Sequence, residues 1–398
     1  MQGNDTGTGS QREPIPGSDA DGHGAALRAV VDAAIAAAGG WLGFDRFMDL
    51  ALYAPGLGYY SAGARKFGAD GDFITAPELS PLFGACVARQ CAEVLQACGA
   101  GSVLEIGAGT GRLAVDVLAR LESLGCLPQH YWILETSADL RQRQYATLEQ
   151  ALPRFIDRIA WLDAPPAEPF DGLVLANEVL DALPVRRFRW TPAGAQELGV
   201  VSHATQLAWE ARPADEALER ACAGLHAAAG GWEAGYTSEY CERLPAWTAY
   251  VTRPLRRGAV LWFDYGLPRP HYYLPERSGG TLLCHHRQQA NDEPLQRIGL
   301  QDITAWVDFT LLAEAGAGAG FCVDGYTTQT WFLAGTGIDR EMDWLAAGDA
   351  NRRARLANQA RQLVMPGEMG ERFKAMAWTR ELDVPLCGFA LRDFRQAL

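Results

Sequence analysis

The sequence has no run of about 18 apolar residues, so no membrane-spanning helix is expected. Nowhere do two of its nine cysteines stand as Cys-x-x-Cys, which argues against a structural zinc site. Their odd number and scattered positions also argue against a disulfide framework. A reducing, cytoplasmic setting is expected. Residues 1–25 lack the charged start and apolar stretch of a secretion signal and are rich in Gly, Ser, Asp and Pro, so a disordered tail is expected there. Positive charge is scarce: 35 Lys and Arg against 48 Asp and Glu leave a formal charge of −13. A broad phosphate-binding surface, and with it a nucleic-acid partner, is excluded on that balance; a cationic partner suits the chain better.

What is present is the mixture of a folded protein, with 48% hydrophobic and 21% charged residues over 398 positions, enough for a sizeable core. Leu27, Val30, Val31 and Ile35 share a helical face between Ala25 and Ala38, and a second helix is predicted from Phe44 to Tyr53. Gly58 to Gly84 is rich in Gly, Pro and aromatics without a period, and Tyr59 to Pro81 within it is expected to form a lid over a site. From Ser102 onward strands and helices alternate: Ser102–Ile106, Arg112–Leu124, His130–Leu134, Ala138–Leu152, Ile156–Leu162 and Gly172–Ala176. This is the βαβ rhythm of an α/β, doubly wound parallel sheet. Pro184 to Ala211 alternates like a β-meander, Pro213 to Ala229 is helical and Gly258–Asp264 is a buried strand. Gly320–Val323 and Thr328–Leu333 are expected to close an antiparallel pair around Asp324-Gly325, and the chain from Ile338 to be mostly helical. The expected organisation is a tail (1–25), N-terminal helices with the lid loop (26–100), a ligand-binding core (101–184), an inserted substrate-side segment (185–257), the rest of the core (258–337) and a C-terminal helical segment (338–398).

Val103-Leu104-Glu105-Ile106-Gly107-Ala108-Gly109-Thr110-Gly111 places three glycines between a strand and a helix, where backbone must pass close to a ligand. A dinucleotide fingerprint wants Gly-x-Gly-x-x-Gly, but here the third glycine arrives one residue early. Glu105 would repel a pyrophosphate; it suits a ligand carrying an ammonium and a sulfonium, as S-adenosylmethionine does. Glu135 ends the second strand, where a carboxylate accepts ribose hydroxyls, and Asp163 ends the third, within reach of an adenine amino group. Each of the three could instead be a strand-end or cap residue. Asn177, Glu178 and Asp181 follow the fourth strand, the position facing a transferred methyl group, although Asn177 and Asp181 could merely cap a helix. Cys284-His285-His286 are adjacent and without a second cluster, so no metal site is expected. Trp161, Trp262, Phe263 and Trp331 fall within predicted strands and are expected in the core.

Gly71-Asp72-Phe73-Ile74-Thr75-Ala76-Pro77-Glu78-Leu79-Ser80-Pro81-Leu82-Phe83-Gly84, Glu105-Ile106-Gly-x-Gly-x-Gly111, Asn177-Glu178-x-x-Asp181-Ala-Leu-Pro184-Val, Asp264-Tyr265-Gly266, Asp302-Ile303-Thr304-x-x-Val307-Asp308-Phe309 and Met369-Gly370-Glu371-Arg372-Phe373-Lys374 succeed one another in an order that resembles the MidA family of adenosylmethionine-dependent methyltransferases. The chain departs from that family's pattern at Ala108, Ile298 and Trp306, and the region around the last two is expected to border the substrate groove. The resemblance implies a Rossmann-like class I methyltransferase fold with a mostly parallel seven-stranded sheet. It implies S-adenosyl-L-methionine held by Glu105, Gly107, Gly109, Gly111, Glu135 and Asp163, with Thr75, Pro77 and Glu78 closing over it. Thr75 and Glu78 also fit a Thr-x-x-Glu capping box. Glu178, Asp181 and Asn177 would serve catalysis, and Asp264 and Tyr265 would be substrate contacts or core. The partner implied is a protein bearing the acceptor arginine, such as a subunit of respiratory complex I. Two other functions stay open on sequence: a non-catalytic assembly factor using the same fold as a binding module, and a nicotinamide-dependent dehydrogenase, which the early Gly111 and Glu105 oppose.

Overall fold

The computed structural model describes residues 18–61, 75–204, 206–287 and 289–398, with side chains from Gly22 onward. Helix α1 (Ser18–Ala37) buries Leu27, Val31 and Ile35, one face at four-residue spacing. It starts before Ala25, so the last part of the expected disordered tail is helical; that stretch contains Gly22 and Gly24 and carries no apolar stripe to announce a helix. The first 17 residues lie outside those described. Helix α2 (Phe44–Tyr53) buries Phe44, Phe47, Met48, Ala51 and Leu52. Of the expected lid, residues 62–74 lie outside the described residues. A short helix α3 (Ala76–Leu79) and a long α4 (Pro81–Cys98) come next in the chain, so the aperiodic stretch ends well before Gly84. Ser80 starts α4 by accepting the Leu82 amide, with Pro81 in the first turn, where its missing N–H costs nothing.

Seven strands run through the main sheet: β1 (Ser102–Ile106), β2 (Tyr131–Leu134), β3 (Ile159–Leu162), β4 (Phe170–Asn177), β5 (Leu255–Leu267), β6 (Cys322–Thr328) and β7 (Phe373–Arg380). Their order is β6-β7-β5-β4-β1-β2-β3, with β7 antiparallel to both neighbours and β5, β4, β1, β2 and β3 mutually parallel. Val307–Asp308 pairs with β5 as an eighth strand, and two smaller sheets lie outside; among the described residues the sheet is thus mostly parallel as expected, but mixed and eight-stranded where seven strands are expected. Two expectations fail at its edge. Thr328–Leu333 is not a hairpin arm: residues Gln329–Thr336 are helical, Trp331 with them, and β6 pairs instead with β7, a strand inside the segment expected to be helical. Short apolar runs fit either period, and here the long-range partner decides.

Helices α4 and α5 (Arg112–Ser123) cover one face of the sheet through Phe83, Cys91, Leu113 and Val117. The other face is covered by Leu244, Val251, Phe309 and Leu312. Gly172, Gly258 and Ser102 share a rung near the start of β4, β5 and β1. A Cβ on Gly172 would fall 2.0 Å from the Ser102 carbonyl oxygen, and one on Gly258 would fall 1.9 Å from that of Gly172.

The inserted segment forms an antiparallel sheet from Arg186–Thr191, Gly194–Ser202, Leu207–Pro213 and Thr237–Tyr240, with Leu42–Gly43 of the N-terminal part as its fifth strand. After α6 (Ala138–Ala151), helix α7 (Glu216–Ala228) packs Leu218, Cys222 and Leu225 with Phe188 on this sheet. Helix α8 (Leu244–Thr252) then leads the chain back into β5.

Candidate active site

Ile106 is level with Leu134 and Ala176 across the sheet, and Leu134 is level with Leu162. Gly107, Glu135, Asn177 and Asp163 therefore each stand one step beyond a common rung, at the carboxyl ends of adjacent parallel strands, where open α/β sheets bind ligands. A cavity of about 470 Å³ opens there, a volume suited to a small-molecule cofactor. Every candidate residue named from sequence lines it except Gly111, Asp264 and Tyr265.

The glycines divide by role. Gly107, Gly109 and Gly111 all have positive φ, of 64°, 54° and 86°. Gly107 and Gly109 face the cavity. Gly111 instead lies under α6, where a Cβ would come within 3.3 Å of Gln144 Cα, so its smallness serves helix packing. Gln144, which sequence reasoning missed, ties the loop together: its side-chain amide donates to the Gly109 carbonyl at 3.0 Å and to Glu135 Oε2 at 3.1 Å, and its oxygen accepts from Trp161 at 2.9 Å.

Glu105 is almost wholly buried and accepts a hydrogen bond from Tyr131 at 2.7 Å. Burial pushes its carboxyl up to about 7 despite that bond. Glu135 is raised by burial too, opposed by the Ser137 amide (2.9 Å) and by Gln144. Asp163 differs: its side chain is 86% exposed and pairs with Arg141 at 2.6 Å, which makes it a rim residue and not an interior one. Glu78 accepts from the Thr110 hydroxyl of the glycine loop, while the Thr75 side chain makes no cap bond. The capping box is thus not formed, and Glu78 joins α3 to the ligand loop.

Beyond β4 the backbone turns sharply. Glu178 has φ of +53°, the left-handed region that a non-glycine residue enters at a cost. Two features hold the turn: the Glu178 amide donates to the Phe263 carbonyl at 2.8 Å, and Asp264 Oδ2 accepts from the amides of Val179, Leu180 and Asp181 at 3.2, 2.9 and 3.3 Å. Asp264 is fully buried and absent from the cavity wall, and its carboxylate holds the turn. Tyr265 is likewise off the wall; its hydroxyl donates to Asp181 Oδ2 at 2.5 Å. Glu178 is pushed up to about 8 by burial and by Asp181, against a hydrogen bond from Asn177 at 3.2 Å. Asp181 rises to about 6 by burial, and its Oδ1 is buried without a hydrogen-bond partner.

The remaining wall comes from segments far away in sequence. Tyr53 donates to the Ala182 carbonyl at 2.9 Å, and Tyr60 to Asp302 Oδ1 at 3.0 Å. Trp247, Tyr250 and Val251 of α8 add an apolar side. Ile298 and Trp306, expected near the substrate groove, do not line the cavity; they pack in two separate hydrophobic clusters. Among the described residues, the lining carboxylates are Asp49, Glu78, Glu105, Glu135, Asp163, Glu178 and Asp181, against Arg112 and Arg243. Both arginines are already paired, Arg112 with Asp116 at 3.2 Å and Arg243 with Asp49 at 2.9 Å.

A model of the family of S-adenosyl-L-methionine-dependent methyltransferases matches residues 86–327. The chain is 30% identical over 367 residues to the mitochondrial protein arginine methyltransferase NDUFAF7 of Danio rerio, covering 82% of this chain and 81% of that one. To the Homo sapiens protein of the same name it is 28% identical over 369 residues, covering 83% and 78%. A crystal structure of a Burkholderia thailandensis protein bound to S-adenosyl-homocysteine superposes with a TM-score of 0.91 at 42% identity, covering 97% of this chain and all of that one.

Proposed function

We propose, on the premise that this chain belongs to the S-adenosyl-L-methionine-dependent methyltransferases, that it methylates a protein at arginine. The residues present fit the cofactor: the glycine backbone at 107 and 109 leaves room at the cavity wall, Glu105 would answer its ammonium, and Glu135 would accept from its ribose hydroxyls. When bound, the cofactor supplies an electrophilic methyl group on a sulfonium sulfur.

The observation that carries the choice of acceptor is the acidic excess of the cavity. Glu105 and Glu135 answer the cofactor, yet Glu178 and Asp181 remain, and among the described lining residues the two cations are already paired with other carboxylates. A guanidinium is always protonated near neutral pH and presents a planar fork of donors, so carboxylates that grip it both orient the nitrogen and take the proton it loses. Glu178, held near 8, is a base matched to neutral pH once a cation draws its proton off. Asp181 offers the free Oδ1, with its other oxygen fixed by Tyr265. Asn177 holds Glu178 in place. The name of the NDUFAF7 relatives supports arginine in particular, and a complex I subunit is the substrate we propose to test first. Incubation of the protein with methyl-labelled cofactor and a host lysate, then amino-acid analysis of the labelled protein, tests both points. Label recovered as methylarginine is the expected result, and label recovered on another residue type overturns the reading.

A further inference from the structure

Tyr53 is 39% exposed, although its hydroxyl is tied to the Ala182 carbonyl. Its phenol end is buried, and Tyr53 lines the same cavity as Glu178 and Asp181. Tyr60 stacks on it at 5.6 Å between centroids and 21° between planes, and Tyr60 in turn meets the buried Tyr59 edge-on at 5.1 Å. Asp302, on the short strand Asp302–Thr304, receives the Tyr60 hydroxyl and locks that ring. Burial of its hydroxyl end, and after it the charges of Asp302, Asp181 and Asp49, hold the Tyr53 phenol protonated well above the usual range. An aromatic face surrounded by carboxylates is a surface for a cation, and a flat one gains most from it.

Building on the cationic acceptor proposed above, we infer that Tyr53, backed by Tyr60 and Asp302, is the specificity wall of the acceptor pocket. It receives the plane of a guanidinium while Glu178 and Asp181 take its edge, and it disfavours the tetrahedral ammonium of a lysine, which has no plane to stack. Methyl transfer as such needs no wall of this kind; choosing arginine over lysine does. Tyr53 comes from α2 and Asp302 from a strand about 250 positions on, and both reach the loop after β4: Tyr53 through the Ala182 carbonyl and the Asp302 strand through the Ala305 amide, which donates to the Asp181 carbonyl at 3.0 Å.

The full chain, saturated with S-adenosylhomocysteine, is titrated with ethylguanidinium and with propylammonium by NMR. The wild-type protein is expected to prefer ethylguanidinium, Tyr53→Leu and Tyr60→Leu to lose about tenfold of that preference, and Tyr53→Phe to keep it. Retained S-adenosylhomocysteine binding shows that each variant is folded. Undiminished preference in both leucine variants overturns the wall. Equal binding of the two cations by the wild type, or failure of both to bind, overturns the wall; methylarginine still formed in lysate leaves the arginine reading standing in either case.

Discussion

Cofactor affinity should fall steeply below neutral pH, and Glu105 should be the reason. Its carboxyl is pushed by burial from an ordinary 4.5 up to about 7 in the unliganded chain, while an ammonium-bearing ligand binds the ionised form. At pH 6 only about one tenth of such a group is ionised, and an affinity limited by the competent fraction drops by that factor, so Kd should rise about tenfold per unit below 7. The ligand's own amino group titrates near 8, so the informative window is about pH 5.5 to 7.5. Calorimetry in buffers of different ionisation enthalpy should find a proton released on binding below pH 7. Glu105→Gln should flatten the profile and bind weakly throughout. Tyr131→Phe removes the hydrogen bond that favours the ionised carboxylate, so the midpoint should move up. Stability runs the other way: a carboxyl raised in the folded state binds more protons there than unfolded, so the unliganded protein loses stability as pH climbs from about 4.5 to 7. The melting shift caused by cofactor should therefore grow with pH. A Kd constant across the window, or a Glu105→Gln variant with the wild-type slope, would refute this account.

Asp181→Ala should bind cofactor nearly as the wild type does, yet lose turnover ~30-fold or more, since loss of one carboxylate gripping a desolvated guanidinium costs on the order of 2–5 kcal/mol. Cofactor affinity falling in step with activity would move Asp181 into the cofactor pocket. Asp264→Ala leaves three amides of the turn without their acceptor and should lower stability by roughly 3 kcal/mol in a melting experiment; a variant that melts normally but is inactive would return Asp264 to the substrate side. Gly172→Ala should prevent folding or cost more than about 4 kcal/mol, because its methyl meets backbone of the neighbouring strand and has nowhere to move; a wild-type melting curve would contradict the rung geometry.

The parts of the site readable from sequence are those whose signal is local. A strand's end is marked by the glycines or helix caps that come after it, so the positions of Glu105, Glu135, Asp163 and Asn177 emerge from pattern alone, and one sheet register brings Glu135, Asp163 and Asn177 level with Gly107, two residues past Glu105. Pattern does not report depth: Asp163 and Glu105 are both strand-end carboxylates, and only packing leaves one at the rim and buries the other beneath Tyr131. Gly111 reads like its two neighbours, but the helix above it gives it a different task. Asp264 carries no mark that distinguishes a substrate contact from an acceptor for backbone amides. Tyr53, Tyr60 and Asp302 converge only after long-range folding, and no spacing links them. Strand β7 is hidden for the same reason, since the two strands it lies between come from some fifty and more than a hundred residues upstream.

Glu178 sits in a backbone conformation suited to glycine, with its carboxyl buried and raised to about 8. Both conditions work against the folded state, by on the order of 1 kcal/mol for the backbone alone. Glu178→Gly would relieve them together. A library screened for heat resistance would be drawn to that substitution and would collect robust, inert protein, while one screened for methyl transfer would hold the position and find its gains elsewhere. The same codon would thus separate, in a single round, the selection for durability from the selection for work.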